Sequence, residues 1–141
     1  MKNQIYPCLW FDGKAQEASK FYCSVFKNSK IISENPTVVI FELNGKKFMG
    51  LNGGSQFKFN EAVSLVVDCE TQDEIDHLWE NLTTNGGSEG NCGWLKDKFG
   101  VSWQIVPTIL PELLSNPDKA KDVLDAYMKM KKFDIKKLKN A

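Results

Sequence analysis

CGWLKDKFGVSWQIVP, residues 92–107, is the stretch that decides the fold. It reads as two strands joined by a tight turn at Phe99-Gly100, and the second strand ends at a proline. Two series of side chains alternate along that second strand: Val101, Trp103 and Ile105 in one, and Ser102, Gln104 and Val106 in the other. Because alternate residues of a strand lie on opposite faces, we expect a sheet with helices behind its apolar face and a pocket in front of the other face.

The segment before this stretch predicts a strand followed by a helix. Val63 to Val67 is a short apolar run typical of a buried strand, and Thr71-x-x-Glu74 is a capping box that opens a helix. Gly86-Gly87 closes that helix. Its apolar stripe comprises Ile75, Leu78, Trp79 and Leu82.

The first half of the chain has the same order of elements. Ile5 to Phe11 predicts a buried strand, and the apolar stripe Ala18, Phe21, Tyr22, Val25 and Phe26 predicts an amphipathic helix. Three short strands follow at Lys30 to Ser33, Thr37 to Leu43 and Lys47 to Leu51, and Asn44-Gly45 is the hairpin turn between the last two.

The two helix stripes repeat at a constant offset of 57 residues, and each half ends in a turn glycine followed by a strand. The sequence therefore predicts an α+β fold of two βαβββ modules in one domain, 1–141, with module 1 at about 4–54 and module 2 at about 61–107. A single α+β sheet whose two helices match by accident is the alternative.

A C-terminal helical extension, 108–141, follows the second module. Ile109 to Leu114 reads as a short apolar link, and Asn116-Pro117-Asp118 as a helix start. From Asp118 onward eight lysines stand against four aspartates, which is typical of a solvated helix face. Phe133, Ile135 and Leu138 indicate that this segment also packs against something, for which a second subunit is one candidate.

Composition excludes several functional classes. The formal net charge is zero and all 18 basic residues are lysine, so the chain lacks the planar guanidinium that reads phosphate and guanine, and we expect no nucleic-acid partner. No apolar run approaches the length of a signal or a membrane span, which predicts a cytoplasmic protein without a membrane partner. Four cysteines without C-x-x-C spacing are expected to be small buried side chains.

Three segments resemble the PhnB-like branch of the vicinal oxygen chelate superfamily, the glyoxalase, bleomycin-resistance and extradiol-dioxygenase group. They are CLWFDGKAQEASKFY (8–22), CGWLKDKFGVSWQIVP (92–107) and MKMKKFDIKKL (128–138). The resemblance covers nearly the whole chain and implies βαβββ modules whose sheets curl around a cup, usually completed as a homodimer. Members of this branch are often described as 3-demethylubiquinone-9 3-methyltransferases.

Metal enzymes of the superfamily hold their ion with His and Glu from the first and last strands of each module. The resemblance places the first-strand positions at Tyr6 or Pro7 and between Ala62 and Ser64, and the last-strand positions at Met49 and Gln104. None offers imidazole, thiolate or carboxylate, so we expect no metal of that kind. The single histidine, His77, is predicted to be exposed on the second helix.

The sequence also predicts no nucleotide-type cofactor. A methyl donor such as S-adenosylmethionine is usually held by a glycine-rich turn that follows a parallel strand and opens a helix. Gly53-Gly54 follows a hairpin strand, and Gly86-Gly87 closes a helix. We therefore expect no cofactor.

A small-molecule pocket is the remaining prediction for the cup. The side chains expected to line it are Tyr6, Cys8, Trp10, Met49, Ser64, Val66, Ser102 and Gln104. Aromatic and apolar side chains with a few polar groups are the usual make-up of such a pocket, although Trp10 and Met49 also suit a plain core. The charged turn Lys96-Asp97-Lys98 is expected to be solvated.

Three functions stay open at this point. The first is metal-free binding of a small, partly aromatic or apolar ligand. The second is a metal-dependent vicinal oxygen chelate enzyme with unexpected ligands such as Cys8, Glu61 or Gln104, or a methyltransferase-like protein as the family description suggests. The third is an interaction module in which side chains fill the cup and the C-terminal tail carries the function.

Overall fold

A computed structural model describes residues 3–141 of the chain. The residues group into two compact units, the first ending at Phe59 and the second running from Asn60 to Ala141. Each unit is built around its own four-stranded sheet.

The first unit is a βαβββ module. Its elements are β1 (Cys8–Phe11), α1 (Ala15–Val25), β2 (Lys30–Glu34), β3 (Val38–Leu43) and β4 (Lys46–Asn52). The strand order is β1-β4-β3-β2, with β1 parallel to β4 and the other pairs antiparallel. The apolar stripe of α1 covers one face of this sheet, and α1 comes close to β4 because Gly50 leaves room for the Cβ of Ala15.

The second unit repeats that topology. Its elements are β5 (Ser64–Cys69), α2 (Gln72–Thr83), β6 (Ser88–Glu89), β7 (Trp94–Lys96) and β8 (Ser102–Pro107). The strand order β5-β8-β7-β6 is the same permutation as in the first unit, and β5 is again parallel to β8. The predicted α+β fold of two βαβββ modules is confirmed.

The cap of α2 and the burial of the apolar stripes of α1 and α2 follow the predictions from sequence. The Thr71 side chain accepts a hydrogen bond from the backbone N–H of Glu74, which caps α2. The predicted stripe residues are buried in both helices, except that Phe21 and Phe26 are half-buried. On β8, the apolar series Val101, Trp103 and Ile105 is buried, as expected for the helix-covered face.

The turn between β7 and β8 differs from its prediction, because Asp97 is buried rather than solvated. One oxygen of its carboxylate accepts the backbone N–H groups of Phe99 (2.8 Å) and Val101 (3.1 Å), and the other accepts Trp103 Nε1–H at 2.9 Å. A buried charge is tolerated where hydrogen bonds satisfy it. Asp97 therefore fixes the turn and ties it to the core tryptophan.

The C-terminal extension is part of the second unit. It contains α3 (Leu110–Ser115), α4 (Ala120–Met128) and α5 (Ile135–Lys139), so the predicted apolar link is helical. Val123, Phe133 and Leu138 are fully buried. The burial of Phe133 and Leu138 agrees with the expectation that this segment packs against something, and they pack within the same chain rather than requiring a second subunit.

Hydrogen bonds hold the extension in place. The Gln72 side chain on α2 donates to the carbonyl of Phe133 (2.9 Å) and accepts from the N–H of Ile135 (2.8 Å). The backbone N–H groups of residues 92 and 93 donate to the carbonyls of residues 130 and 131, each at 2.8 Å. An ion pair of 2.8 Å between Lys132 and Asp76 adds a third link, and it lowers the pKa of Asp76.

Gly93→Ala is expected to destabilise the protein by about 2–4 kcal/mol, because two costs add. Gly93 has a φ of +80°, and a Cβ there would overlap the ring of Phe133. Urea-induced unfolding followed by circular dichroism measures the change. Gly13→Ala is the matched control, since Gly13 has a φ of +72° with open space around it. Equal losses in the two variants would show that the Phe133 contact contributes nothing.

Across residues 3–141, none of the helices has the length and apolar character needed to cross a membrane. The predicted homodimer and the predicted cytoplasmic location stay predictions.

Candidate functional site

The open face of the second sheet, opposite α2, carries a polar pair. Ser64 on β5 and Gln104 on β8 are both half-buried, and Gln104 Nε2–H donates to Ser64 Oγ at 2.9 Å. Gln104 lies between Val66 and Trp94 in the strand register. Since register partners share a face, the pair is flanked by one apolar and one aromatic side chain.

Ser102 begins the neighbouring row on the same face. It is paired with Ser64 on β5 and with Lys96 on β7. The ammonium of Lys96 binds the carboxylate of Glu61 at 2.6 Å, and this contact lowers the pKa of Glu61. The second unit thus brings together Ser64, Ser102 and Gln104 of the predicted site.

Sequence reasoning missed Trp94, Lys96 and Glu61 as neighbours of these residues. The alternation of β7 would have placed Trp94 and Lys96 on the open face, because Leu95 between them is buried. Nothing in the sequence pairs Glu61 with Lys96, since the two are 35 residues apart.

The open face of the first sheet is mainly apolar. Cys8 is the register partner of Met49, and Trp10 is the partner of Leu51. Cys8 is exposed, whereas Trp10, Met49 and Leu51 are half-buried. The remaining predicted residue, Tyr6, is half-buried with the Lys47 ammonium 4.1 Å from its ring centre.

Trp10 lies under the loop that follows β4. Its Nε1–H donates to the carbonyl of Gly54 at 2.9 Å, and the edge of Phe57 meets its ring at a centroid distance of 4.9 Å. A Cβ at Gly53 would overlap the same ring. The loop therefore closes against Trp10, and Phe57 stays 58% exposed above it.

The glycine pairs do not fit a methyl-donor or nucleotide turn. The space beside Gly53 is filled by the Trp10 ring, and that beside Gly87 by the backbone of residues 82, 83 and 96. Neither pair joins a parallel strand to the start of a helix. No step of chemistry is therefore assigned to S-adenosylmethionine.

The donor set likewise does not fit the superfamily's metal. Met49 and Gln104 supply a thioether and an amide where imidazole or carboxylate would be needed. Within residues 3–141, no three His, Cys, Asp or Glu side chains converge as a metal site would require. His77 is exposed on α2 beside Asn81, as predicted. It lies on neither of the strands that carry Met49 and Gln104.

Three of the four cysteines, Cys8, Cys23 and Cys69, have thiols whose pKa values are shifted away from nucleophilic reactivity. All four are free thiols. Burial raises the pKa of Cys8 and of Cys23, and it raises the pKa of Cys69 to about 12. A nucleophilic cysteine needs the opposite shift, because the thiolate is the reactive form.

An open cavity of about 700 Å³ lies elsewhere in the second unit, between the start of α2 and α5. It contains none of the predicted site residues. Glu70 and Asp134 on its wall balance Lys136 and Lys139, and Thr71 already caps α2. Its remaining lining residues are Gln72, Ile135 and Asn140.

Two βαβββ units with this strand order define the fold of the glyoxalase, bleomycin-resistance and dioxygenase proteins. The glyoxalase-related enzyme from Fulvimarina pelagi matches with a TM-score of 0.57 at 17% identity, over 77% of this chain and 90% of that one. FosX, the fosfomycin resistance protein from Listeria monocytogenes solved with Mn(II) and sulfate, gives 0.60 at 14% identity, over 82% and 97%. At these identities the likeness shows the fold alone.

A more specific relationship comes from sequence. The profile of the 3-demethylubiquinone-9 3-methyltransferase family matches residues 3–106. The PhnB protein from Bacillus cereus is 35% identical, with a TM-score of 0.68 over 75% of this chain and 100% of that one. The chain belongs to this PhnB-like family. Comparison with curated proteins gives no match.

Proposed function

We propose that the protein binds a small organic molecule on the open face of its second sheet, without a bound metal. The observation that carries the proposal is the Gln104–Ser64 hydrogen bond on a half-buried face. Beside it Val66 is 58% exposed and Trp94 is half-buried. A few placed polar groups among apolar and aromatic side chains are what a small-molecule site requires.

The open face of the first sheet, taken by itself, supports the same kind of function. Its four candidate residues are Tyr6, Cys8, Trp10 and Met49. They comprise two aromatic rings, a thioether and a thiol, with the loop after β4 against Trp10 and the Lys47 ammonium over Tyr6. Such a surface favours an apolar or aromatic part of a molecule.

Binding accounts for these side chains better than catalysis does. Near the polar pair, Lys96 and Glu61 neutralise each other in an exposed ion pair, and Asp68 lies on the same face of β5 as the register partner of Val106. The methyl transfer named by the family description would need a donor site that the two glycine pairs do not supply. The proposal therefore assigns the protein a ligand and no reaction.

Ligand-dependent melting tests the proposal. We expect at least one compound in a panel of small aromatic acids, amides and alcohols to stabilise the protein, by about 2.7 kcal/mol at 100 times its Kd. Gln104→Ala is expected to reduce that response at least fivefold while leaving the unliganded melting temperature nearly unchanged, because Gln104 is half-buried and its one bond is to a half-buried hydroxyl.

Gln56→Ala, an exposed glutamine in a loop of the first unit, is the control and should respond like the parent. Unfolding of the Gln104→Ala variant would show that Gln104 is a core residue rather than a ligand contact. About one equivalent of metal per chain, found by elemental analysis without chelator, would contradict the metal-free proposal.

A further inference from the structure

The Ser102 hydroxyl is unusual among the polar groups of residues 3–141. The side chain is only 1% exposed, and its Oγ is the one buried side-chain N or O atom in this part of the chain without a hydrogen-bond partner. A hydroxyl buried without a partner costs roughly 1–3 kcal/mol. Protein atoms already cover this oxygen, so a ligand that binds it must first displace neighbouring side chains.

Ser102 lies between Lys96 and Ser64 in one row across β7, β8 and β5, here called the Ser102 row. Adjacent strands are about 4.8 Å apart, so the row is about 10 Å wide at the backbone. Glu61 precedes Ser64 by three residues, and its carboxylate binds Lys96. The ion pair thus links the two strands that flank Ser102.

All three members of the row are hydrogen-bond donors. Ser64 Oγ accepts from Gln104, so its own proton is available, and the Ser102 proton has no acceptor among the described residues. The Lys96 ammonium has three N–H groups, and Glu61 binds it through one carboxylate oxygen. Donors without acceptors favour an anionic oxygen ligand.

We propose that the Ser102 row binds the carboxylate of a small aromatic acid. In the free protein the Glu61 carboxylate binds Lys96 at the position that the carboxylate of the ligand would take. The Lys96 and Glu61 side chains are 43% and 62% exposed, and an ion pair so exposed contributes little stability, so an incoming carboxylate can displace Glu61. The aromatic part of the acid then lies on the neighbouring row, against Trp94 and Val66.

This inference rests on the proposed function and adds the chemical class of the ligand. Its test is a titration of the full chain with benzoate, followed by NMR at the backbone amides of residues 94–104 and the side-chain amide of Gln104. Benzamide, which has the same ring without the charge, is the matched probe. We expect benzoate to shift these signals with at least tenfold higher affinity than benzamide.

Three variants locate the effect. Glu61→Gln removes the internal competitor and is expected to tighten benzoate binding about fivefold. Lys96→Gln is expected to weaken it at least tenfold, and Ser102→Ala about fivefold. Lys121→Gln removes an exposed charge on α4 and should leave the affinity unchanged.

Two results would overturn the inference. Equal binding of benzoate and benzamide, unaffected by Lys96→Gln, would leave a small-molecule site without an anion requirement, so the proposed function would stand alone. An absence of benzoate shifts in both the parent and Glu61→Gln would exclude the carboxylate site, and the melting panel would then decide separately whether any other ligand binds.

Discussion

Trp103→Ala is expected to destabilise the protein by about 3–5 kcal/mol, the usual loss when a buried tryptophan is removed from a core. Trp103 is 2% exposed, and its register partners are Leu65 on β5 and Leu95 on β7. Its Nε1–H also supplies a hydrogen bond to the buried carboxylate of Asp97. The substitution therefore creates a cavity and leaves one oxygen of that carboxylate without its donor.

Trp94→Ala is the matched control, because Trp94 is half-buried on the opposite face of the same sheet. It should cost markedly less in urea-induced unfolding. Trp103→Phe keeps most of the ring volume and removes the N–H, so its loss measures the hydrogen bond. If Trp103→Ala cost less than about 1 kcal/mol, the helix-covered face of β8 would be wrongly assigned.

Asp97→Ala is expected to cost about 3 kcal/mol or more. The variant removes three hydrogen bonds to a charged group and leaves the N–H groups of Val101 and Trp103 buried without an acceptor. It also removes the side chain that closes the turn onto the N–H of Phe99. Urea-induced unfolding provides the measurement.

Asp97→Asn refines this test, since an amide retains one oxygen for the two turn N–H groups but places an NH₂ opposite Trp103 Nε1–H. Its loss should be intermediate. Asp125→Ala on the exposed side of α4 should change stability by no more than about 0.5 kcal/mol. A loss at Asp97 as small as that at Asp125 would mean that the turn is held by its backbone alone.

The repeated architecture could be predicted because periodicity depends on neighbours in sequence. The 57-residue offset pairs Ala18 with Ile75 and Tyr22 with Trp79, and all four are buried side chains of α1 or α2. The strand alternation around Trp103 was likewise correct. In both cases one face of the element is buried away from water, and this burial determines the spacing of the apolar residues.

The burial of Asp97 and the way the extension is attached to the second unit could not be predicted in this way. Asp97 lies between two lysines, and only the three-dimensional position of the Trp103 N–H shows that its charge is satisfied. The extension is attached through Gln72 to backbone groups more than 60 residues away. Contacts of a side chain with distant backbone leave no periodic signal in a sequence.

The sequence predicts which face of the sheet the candidate residues share, but it does not predict the hydrogen bonds between them. Alternation placed Ser64, Ser102 and Gln104 on one face, and the register confirms that placement. The hydrogen bond from Gln104 to Ser64 and the lack of a partner at Ser102 Oγ both depend on side-chain rotamers, which a sequence does not specify. The role of these residues in a pocket stays a prediction.

The dependence of the second unit on Phe133 and Leu138 sets an order of events during protein synthesis. The first compact unit ends at Phe59, whereas Phe133 of the second follows it by 74 residues. At ~5–20 residues per second a ribosome takes about 4–15 s to add that length, longer than most small units need to fold. All residues of the first module are therefore synthesised while the second still lacks its last core side chains, and we expect a stall before residue 133 to leave the second module open to proteases.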